Sequence, residues 1–232
     1  MDSTRPAVHS PSIRRRFAAR VAGAFVLALA GGGAASAATP PQEWSFTVRL
    51  DGTPIGTHRF ELDRAGDGEL SLSSEARFDV RLLGVPLYRY RHRASERWAG
   101  GCLASIEART DDNGRLTEVE GRELEGRFDL TVRQDDRLSS PQATPARCMM
   151  SFAYWNPALA DQKRLLDPGS GRVEPVVITA TEAAPADLQP QAVRGLRIGG
   201  LAYPIDVWYV GDRWVGLDTI VSGGRRLSYR LR

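Results

Sequence analysis

The sequence is poor in the side chains on which small enzymes and metalloproteins most often depend. Its 232 residues include two cysteines, three histidines and a single lysine, Lys163. It contains no G-x-S-x-G, H-E-x-x-H, P-loop or dinucleotide-binding motif. We therefore predict no cofactor and no metal site, and these absences favour a binding or structural role over catalysis.

Long apolar runs are also missing. The apolar stretch at residues 21–30 is too short to cross a bilayer, and no later stretch approaches the roughly 18 residues of a membrane-spanning helix. It follows an arginine-rich segment, residues 14–20, and precedes the A-x-A sequence Ala35-Ser36-Ala37, an order typical of a secretory signal peptide. We expect residues 1–37 to be the signal peptide. Residues 38–232 are then one β-rich domain without a transmembrane segment, in the periplasm or secreted.

The export route stays open between two alternatives. Arg14-Arg15-Arg16-Phe17 matches the R-R-x-F core of a twin-arginine signal, but Ile13 occupies the position where Ser or Thr is usual. The general secretory route is the other alternative. No cysteine follows the expected cleavage point directly, so a lipoprotein anchor is not expected.

The basic charge of the chain comes from its N-terminus. The whole sequence has a formal charge of +3, and residues 1–37 contribute five arginines and one aspartate, a net +4. Subtracting that segment leaves −1 for residues 38–232. A nucleic-acid partner requires a strongly positive surface, so none is predicted.

The two cysteines, Cys102 and Cys148, indicate a disulfide if the protein is exported, because an even pair in an oxidising compartment is usually bonded. Two free thiols, or a thiol that acts as nucleophile or metal ligand, are the alternatives. His58 and His92 are the histidines of the expected mature chain, and neither lies at ligand spacing from a cysteine.

A two-residue alternation of apolar and polar side chains dominates the expected mature chain. Trp44, Phe46 and Val48 alternate with polar residues, and the same pattern returns in residues 70–82 and in the C-terminal third. Asn113-Gly114 is a strong hairpin signal. We predict an all-β fold with minor α content: a curled antiparallel sheet or half-open β-barrel of about ten to twelve strands and one short helix.

The helix is predicted within residues 148–166. Asn156 is a suitable N-cap and Pro157 a suitable first helical residue. Because a sheet with one apolar face must cover that face, we expect this segment to pack across the mouth or the concave side of the sheet. The polar residues 134–147 before it are predicted to form a loop.

The densest local pattern is Tyr88-Arg89-Tyr90-Arg91-His92-Arg93. In a strand, its arginines share one face and its aromatic residues share the other. Two interpretations stay open for each face. Arg89, Arg91 and Arg93 either pair with Glu75, Asp79 and Glu107 of neighbouring strands or bind an anionic ligand. Tyr88, Tyr90 and His92 either pack in the core or line the site of an apolar ligand. The same two alternatives are open for Tyr154 and Trp155.

The sequence also resembles a family of exported bacterial proteins of unknown function. The similarity lies in the opening D-G-x-x-I-G hairpin at residues 51–58, residues 77–93, residues 151–157 and the closing hairpins at residues 207–231. A larger, more distant group of periplasmic β-rich proteins of unknown function shares the opening and closing hairpins. The resemblance implies a curled antiparallel sheet in the envelope of a Gram-negative bacterium, and it implies no reaction.

These observations favour an exported protein that binds an amphiphilic or anionic envelope component, such as a lipid or glycan, in a curled sheet. The candidate ligand-binding residues are Arg89, Arg91, Arg93, Tyr88, Tyr90, His92, Tyr154 and Trp155. Two alternatives come from other classes. One is a structural or assembly factor that contacts another envelope protein, and the other is a hydrolase or transferase that uses His92 or Cys148.

Overall fold

The alternating residues form a large antiparallel sheet. The computed structural model describes residues 41–65, 68–135, 137–138, 142–145, 148–182, 184–188 and 193–232. The predicted signal peptide and its cleavage site lie outside these residues and stay predictions.

Sixteen strands are present in the described residues. They are β1 (Gln42–Leu50), β2 (Thr53–Arg64), β3 (Leu70–Leu82), β4 (Val85–Ala99), β5 (Cys102–Asp112), β6 (Arg115–Leu124), β7 (Arg127–Gln134), β8 (Arg137–Leu138), β9 (Gln142–Pro145), β10 (Arg164–Leu166), β11 (Val173–Pro175), β12 (Val177–Thr181), β13 (Val193–Gly199), β14 (Ile205–Val210), β15 (Arg213–Val221) and β16 (Arg225–Leu231).

Fourteen of these strands belong to one sheet in the order β12-β13-β14-β15-β16-β1-β2-β3-β4-β5-β6-β7-β8, with β9 paired to β7. The first and the last of the described strands meet inside it, because β1 pairs with β16. Within the described residues β8 and β12 remain separate ends, so the sheet is not closed. The predicted half-open antiparallel fold is confirmed. The strand count exceeds ten to twelve because β8 to β11 have only two to four residues each, and β8 and β9 lie in the predicted loop.

The apolar faces of these strands converge on one core. Trp44 and Phe46 of β1 share a cluster with Val207 of β14, near one end of the strand order, and with Phe128 of β7, near the other. Both ends of the sheet therefore bend towards the same side. The concave face is apolar, and burying it is the main source of stability in such a fold.

A single segment fills much of the concave side. Residues 148–176, which we name the plug segment, carry the hairpin β10–β11 and bury Met150, Leu165 and Leu166 completely. Backbone hydrogen bonds hold it together, including Phe152 N–H to Leu166 O at 3.2 Å. The position expected for residues 148–166, on the concave side, is the one observed.

The helix in the plug segment is shorter than predicted. It is a 3-10 helix, Pro157–Asp161, and Asn156 caps it through a 3.0 Å hydrogen bond from the Ala158 N–H. The predicted cap and first residue are confirmed, but the helix stops at Gln162, whose backbone is extended. Arg164–Leu166 pairs with β11 instead, because a strand there satisfies its backbone groups. Over the parts of the chain that are described, no helix combines the length and the apolarity of a membrane span.

A disulfide between Cys102 and Cys148 ties the plug segment to β5, as the sequence predicted. The adjacent Leu103 N–H donates a 2.8 Å hydrogen bond to Met149 O. The disulfide therefore joins the plug segment, which covers the concave face, to the sheet.

Removing the disulfide should destabilise the fold strongly. The two cysteines are separated by 46 positions, and opening a loop of that length lowers the free energy of unfolding by about 4 kcal/mol on the chain-entropy model. Urea denaturation of the oxidised protein and of a Cys102→Ala/Cys148→Ala variant measures the difference. The control is the same variant with a reducing agent added. Because it has no disulfide to break, its unfolding curve should not change. A loss below about 1 kcal/mol would contradict the assigned role of the bond.

Candidate ligand-binding site

A cavity of about 670 Å³ remains between the plug segment and the concave face of the sheet. Strands β2, β3, β4, β15 and β16, the turn between β13 and β14, and the plug segment all line it. Eight of its lining residues are aromatic: Phe60, Tyr90, Phe152, Tyr154, Trp155, Tyr203, Trp214 and Tyr229. Its size falls in the range of about 300–1,000 Å³ found for small-molecule sites, and polar side chains interrupt its aromatic walls.

The cavity opens at one end of the sheet. Because neighbouring strands are antiparallel, the β1–β2, β3–β4, β5–β6, β13–β14 and β15–β16 turns all lie at that end. Tyr203, in the β13–β14 turn, and Ile220, near the β15–β16 turn, line the cavity and are also exposed to solvent. A ligand can therefore enter between these turns.

Ring-to-ring contacts fix the walls. The His58 ring stacks on Phe60 with centroids 4.0 Å apart, and Tyr154 packs on Trp214 at 5.1 Å. Trp155 meets Trp98 edge to face at 5.2 Å. Such contacts hold the rings in place before a ligand arrives, which lowers the entropic cost of binding.

Two imidazoles line the cavity, and both are uncharged at neutral pH. Burial lowers the pKa of His92 to about 4, an effect that Asp167 only partly offsets. Burial also lowers the pKa of His58 well below its ordinary value, and the neighbouring His92 adds to that shift. His92 Nδ1 lies 2.9 Å from the Thr110 hydroxyl, and His58 Nδ1 lies 3.4 Å from the Tyr229 hydroxyl. The rings therefore offer neutral hydrogen-bonding groups to a ligand.

Glu96 is a carboxyl group inside the apolar core. It lines the cavity and accepts a 2.9 Å hydrogen bond from Trp98 Nε1. Burial raises its pKa to about 7, although hydrogen bonds from Ser151 and Trp98 act in the opposite direction. No basic side chain among the described residues forms an ion pair with Glu96. Burial therefore destabilises its charged form relative to the neutral carboxyl group.

Two buried nitrogen atoms at the cavity lack a partner. Three buried side-chain polar atoms among the described residues make no hydrogen bond, and two of them, His58 Nε2 and Trp155 Nε1, belong to residues that line the cavity. An unpaired buried polar atom is costly. Both atoms are buried behind the cavity surface, so a ligand could reach them only if the walls moved.

The plug segment contributes one acidic turn to the wall. Asp167 accepts hydrogen bonds from Gly169 N–H at 2.8 Å and from the Ser170 hydroxyl at 2.6 Å. Both oxygens of its carboxylate are therefore already hydrogen-bonded within the turn. Arg172, which also lines the cavity, pairs with Glu174 at 2.9 Å. Among the described residues no group of three or more His, Cys, Asp or Glu side chains could hold a metal ion.

Half of the predicted site residues meet at the cavity. Tyr90, His92, Tyr154 and Trp155 all line it. Tyr88 does not line it; the ring is half-buried and its hydroxyl interacts with Asp112. The alternation of β4 placed Tyr90 and His92 correctly on the concave face.

The three arginines lie on the opposite, convex face of β4. Their guanidinium groups pair with carboxylates of neighbouring strands: Arg89 with Asp111 at 2.7 Å, Arg91 with Asp79 at 2.9 Å and Arg93 with Glu75 at 2.8 Å. Pairing with Glu75 and Asp79 was one of the two predicted alternatives and is observed. Glu107 was predicted as the third partner, but Asp111 is the carboxylate that pairs with Arg89. The fold therefore does not bring the charged and aromatic halves of the predicted site together.

Several cavity residues escaped the sequence analysis. Glu96 shares the concave face of β4 with His92 and Trp98, so alternation alone would have found it. Tyr229 and Trp214 also alternate inward, but only strand pairing shows that they meet β2. Asp167 depends on the path of the plug segment, for which the sequence holds no local signal.

Fold and cavity together define a half-open β-barrel protein with an aromatic-lined interior. The chain belongs to the family described as "Domain of unknown function (DUF6134)", whose model matches residues 46–232. This confirms the resemblance to a family of unknown function. A search of curated proteins finds no match.

A solved structure supports the fold. The chain is similar to the crystal structure of a beta-barrel-like protein of domain of unknown function DUF1849 from Brucella abortus, with a TM-score of 0.59 and 12% sequence identity. The alignment covers 84% of this chain and 97% of that one. At this identity the similarity shows the fold alone.

Glu96 should make stability depend on pH. Its pKa of about 7 in the folded state exceeds the ordinary value of 4.5. The folded protein therefore binds more protons between these values, and the free energy of unfolding falls as pH rises through that window. Glu96→Gln, which stays neutral, should gain stability over the wild type by about 3 kcal/mol between about pH 4 and pH 8.

Urea denaturation across this pH range measures the Glu96 effect. The contribution of His92 is common to both proteins and cancels in the difference. Glu107→Gln, at an exposed glutamate of the neighbouring strand, is the matched control and should leave the pH profile of stability unchanged. If the difference in free energy of unfolding between Glu96→Gln and wild type stays constant with pH, Glu96 does not have the raised pKa of a buried carboxyl group without an ion pair.

Proposed function

We propose that this chain is an exported periplasmic protein that binds an amphiphilic component of the cell envelope in the cavity. The observation that carries the proposal is the aromatic-lined cavity of about 670 Å³ that the plug segment leaves open at one end of the sheet. An acyl or ring-bearing ligand would complete the apolar packing.

The polar groups of the cavity suit a neutral, hydrogen-bonding head. His92 lines the cavity, and its ring is uncharged at neutral pH because burial lowers its pKa to about 4. Glu96 and Asp167 disfavour an anionic group there, since no unpaired cation of the described lining offsets them. We therefore place an apolar body against the rings and a hydroxyl or carbonyl group near His92.

The compartment is supported by two features that are consistent with each other. The N-terminal 37 residues have the order of a signal peptide, and Cys102 and Cys148 form a disulfide, which persists in oxidising compartments. The same bond removes Cys148 from the candidate nucleophiles, so it supports binding over thiol-dependent hydrolysis.

Filling the cavity should abolish ligand binding. Ser74 lines the cavity on the concave face of β3, while Ser73 is exposed on the convex face of the same strand. We expect Ser74→Phe to weaken binding of the uncharged methyl ester of dansyl-labelled undecanoic acid at least about tenfold, because the new ring occupies the ligand space. Fluorescence titration measures the dissociation constant.

Ser73→Phe is the matched control and should bind the probe as the wild type does. Circular dichroism and thermal unfolding verify that both variants are folded. The proposal is wrong if the wild type shows no saturable binding, or if the two variants have equal dissociation constants.

A further inference from the structure

One hairpin continues past its pairing with the neighbouring strands. The last pair between β2 and β3 at the open end is Gly56 with Phe78, and the last between β4 and β5 is Tyr90 with Asp112. Beyond them β3 and β4 pair only with each other, as far as Leu82 with Val85. Residues 80–88, which we name the arm, therefore pair with neither neighbouring strand, although β2 itself continues in the same direction as far as Thr53.

The tip of the arm is apolar and exposed. Leu83 is 97% exposed, Val85 59% and Leu87 55%. Contiguous apolar groups in water are unfavourable, and on soluble proteins they mark contact sites. No side chain of the described fold covers this tip.

The turn at the tip does not require a leucine. Leu83 has φ 50° and is followed by Gly84 at φ 84°, the left-handed pair of a tight hairpin. The β5–β6 turn adopts the same conformation with Asn113 and Gly114, at φ 54° and 96°. Asparagine accepts this conformation at lower cost than leucine. Leu83 thus combines an unfavourable backbone conformation with an exposed apolar side chain. No side chain of the described residues packs against it to offset either cost.

An arginine stands among the apolar side chains of the tip. Arg81 is exposed and pairs across the hairpin with Pro86, which lies between Val85 and Leu87. Arg81 forms no ion pair with the residues described. A cation beside exposed apolar side chains suits the interface of an anionic bilayer, because the apolar groups reach the acyl boundary while the long arginine side chain extends to the phosphates.

We propose that the arm docks this protein on a bilayer that contains anionic phospholipid. The apolar tip enters the acyl boundary, and Arg81 contacts the phosphates. The mouth of the cavity lies at the same end of the sheet, beside Tyr203 and Ile220. Docking therefore turns the opening towards the lipid, which deepens the proposed function by giving the amphiphile a direct route between membrane and cavity.

Flotation with vesicles of phosphatidylethanolamine and phosphatidylglycerol tests the docking. The wild-type mature protein should float, and Leu83→Asn/Val85→Ser should lower its partition coefficient at least about tenfold. Asparagine suits the turn, so this variant should remain folded. Val177→Ser, at a valine that is 64% exposed on β12, is the matched control and should float as the wild type does.

Two further measurements separate this inference from the proposed function. Arg81→Gln should weaken binding to the anionic vesicles about fivefold but leave binding to pure phosphatidylcholine unchanged. The arm variant should still bind the dansyl-labelled ester, while Ser74→Phe should bind the ester at least about tenfold more weakly and still float.

Three results would overturn the docking. They are no flotation of the wild type, equal flotation of the arm variant and the Val177→Ser control, and a complex with an envelope protein that forms through the arm without vesicles.

Discussion

An antiparallel sheet with one apolar face must cover that face, and this requirement shapes the whole molecule. Over the described part of the chain the fourteen-stranded sheet does not close, so curvature alone leaves its concave side open. The plug segment supplies the cover by burying Met150, Leu165 and Leu166, and the disulfide from Cys148 to Cys102 fixes its start to β5. The cavity is the part of the concave side that the plug segment leaves unfilled. Its position therefore follows from how the core is completed.

The polar residues inside this core make the cavity more than a packing defect. His58, His92 and Glu96 occupy positions where apolar side chains would stabilise the fold more. Burial lowers the pKa of both histidines and raises that of Glu96, so the site favours uncharged groups at the cost of stability. A fold that retains such groups beside an open, aromatic-lined space has the features of a binding site.

Much of this architecture could be predicted from the sequence because alternation has a direct physical meaning. The two-residue period placed Tyr90 and His92 on the concave face and the arginines of β4 on the convex face, and Asn113-Gly114 marked its turn. The helix was overestimated because the Asn156 cap and Pro157 mark where a helix begins but not how far it continues, whereas the pairing of β10 with β11 decides the backbone that follows. Which carboxylates neutralise the arginines, and which residues the plug segment brings to the cavity, depend on long-range contacts that one sequence does not encode locally.

The central claim is that the plug segment and the curled sheet enclose a space occupied by an envelope amphiphile. Native mass spectrometry of the full-length chain expressed with its own signal and purified from the periplasm tests it directly. The account predicts a chain that begins near Ala38, contains the Cys102–Cys148 disulfide and carries a noncovalently bound amphiphile that organic solvent removes. A bare chain of the correct mass, or a ligand whose occupancy Ser74→Phe leaves unchanged, would contradict it.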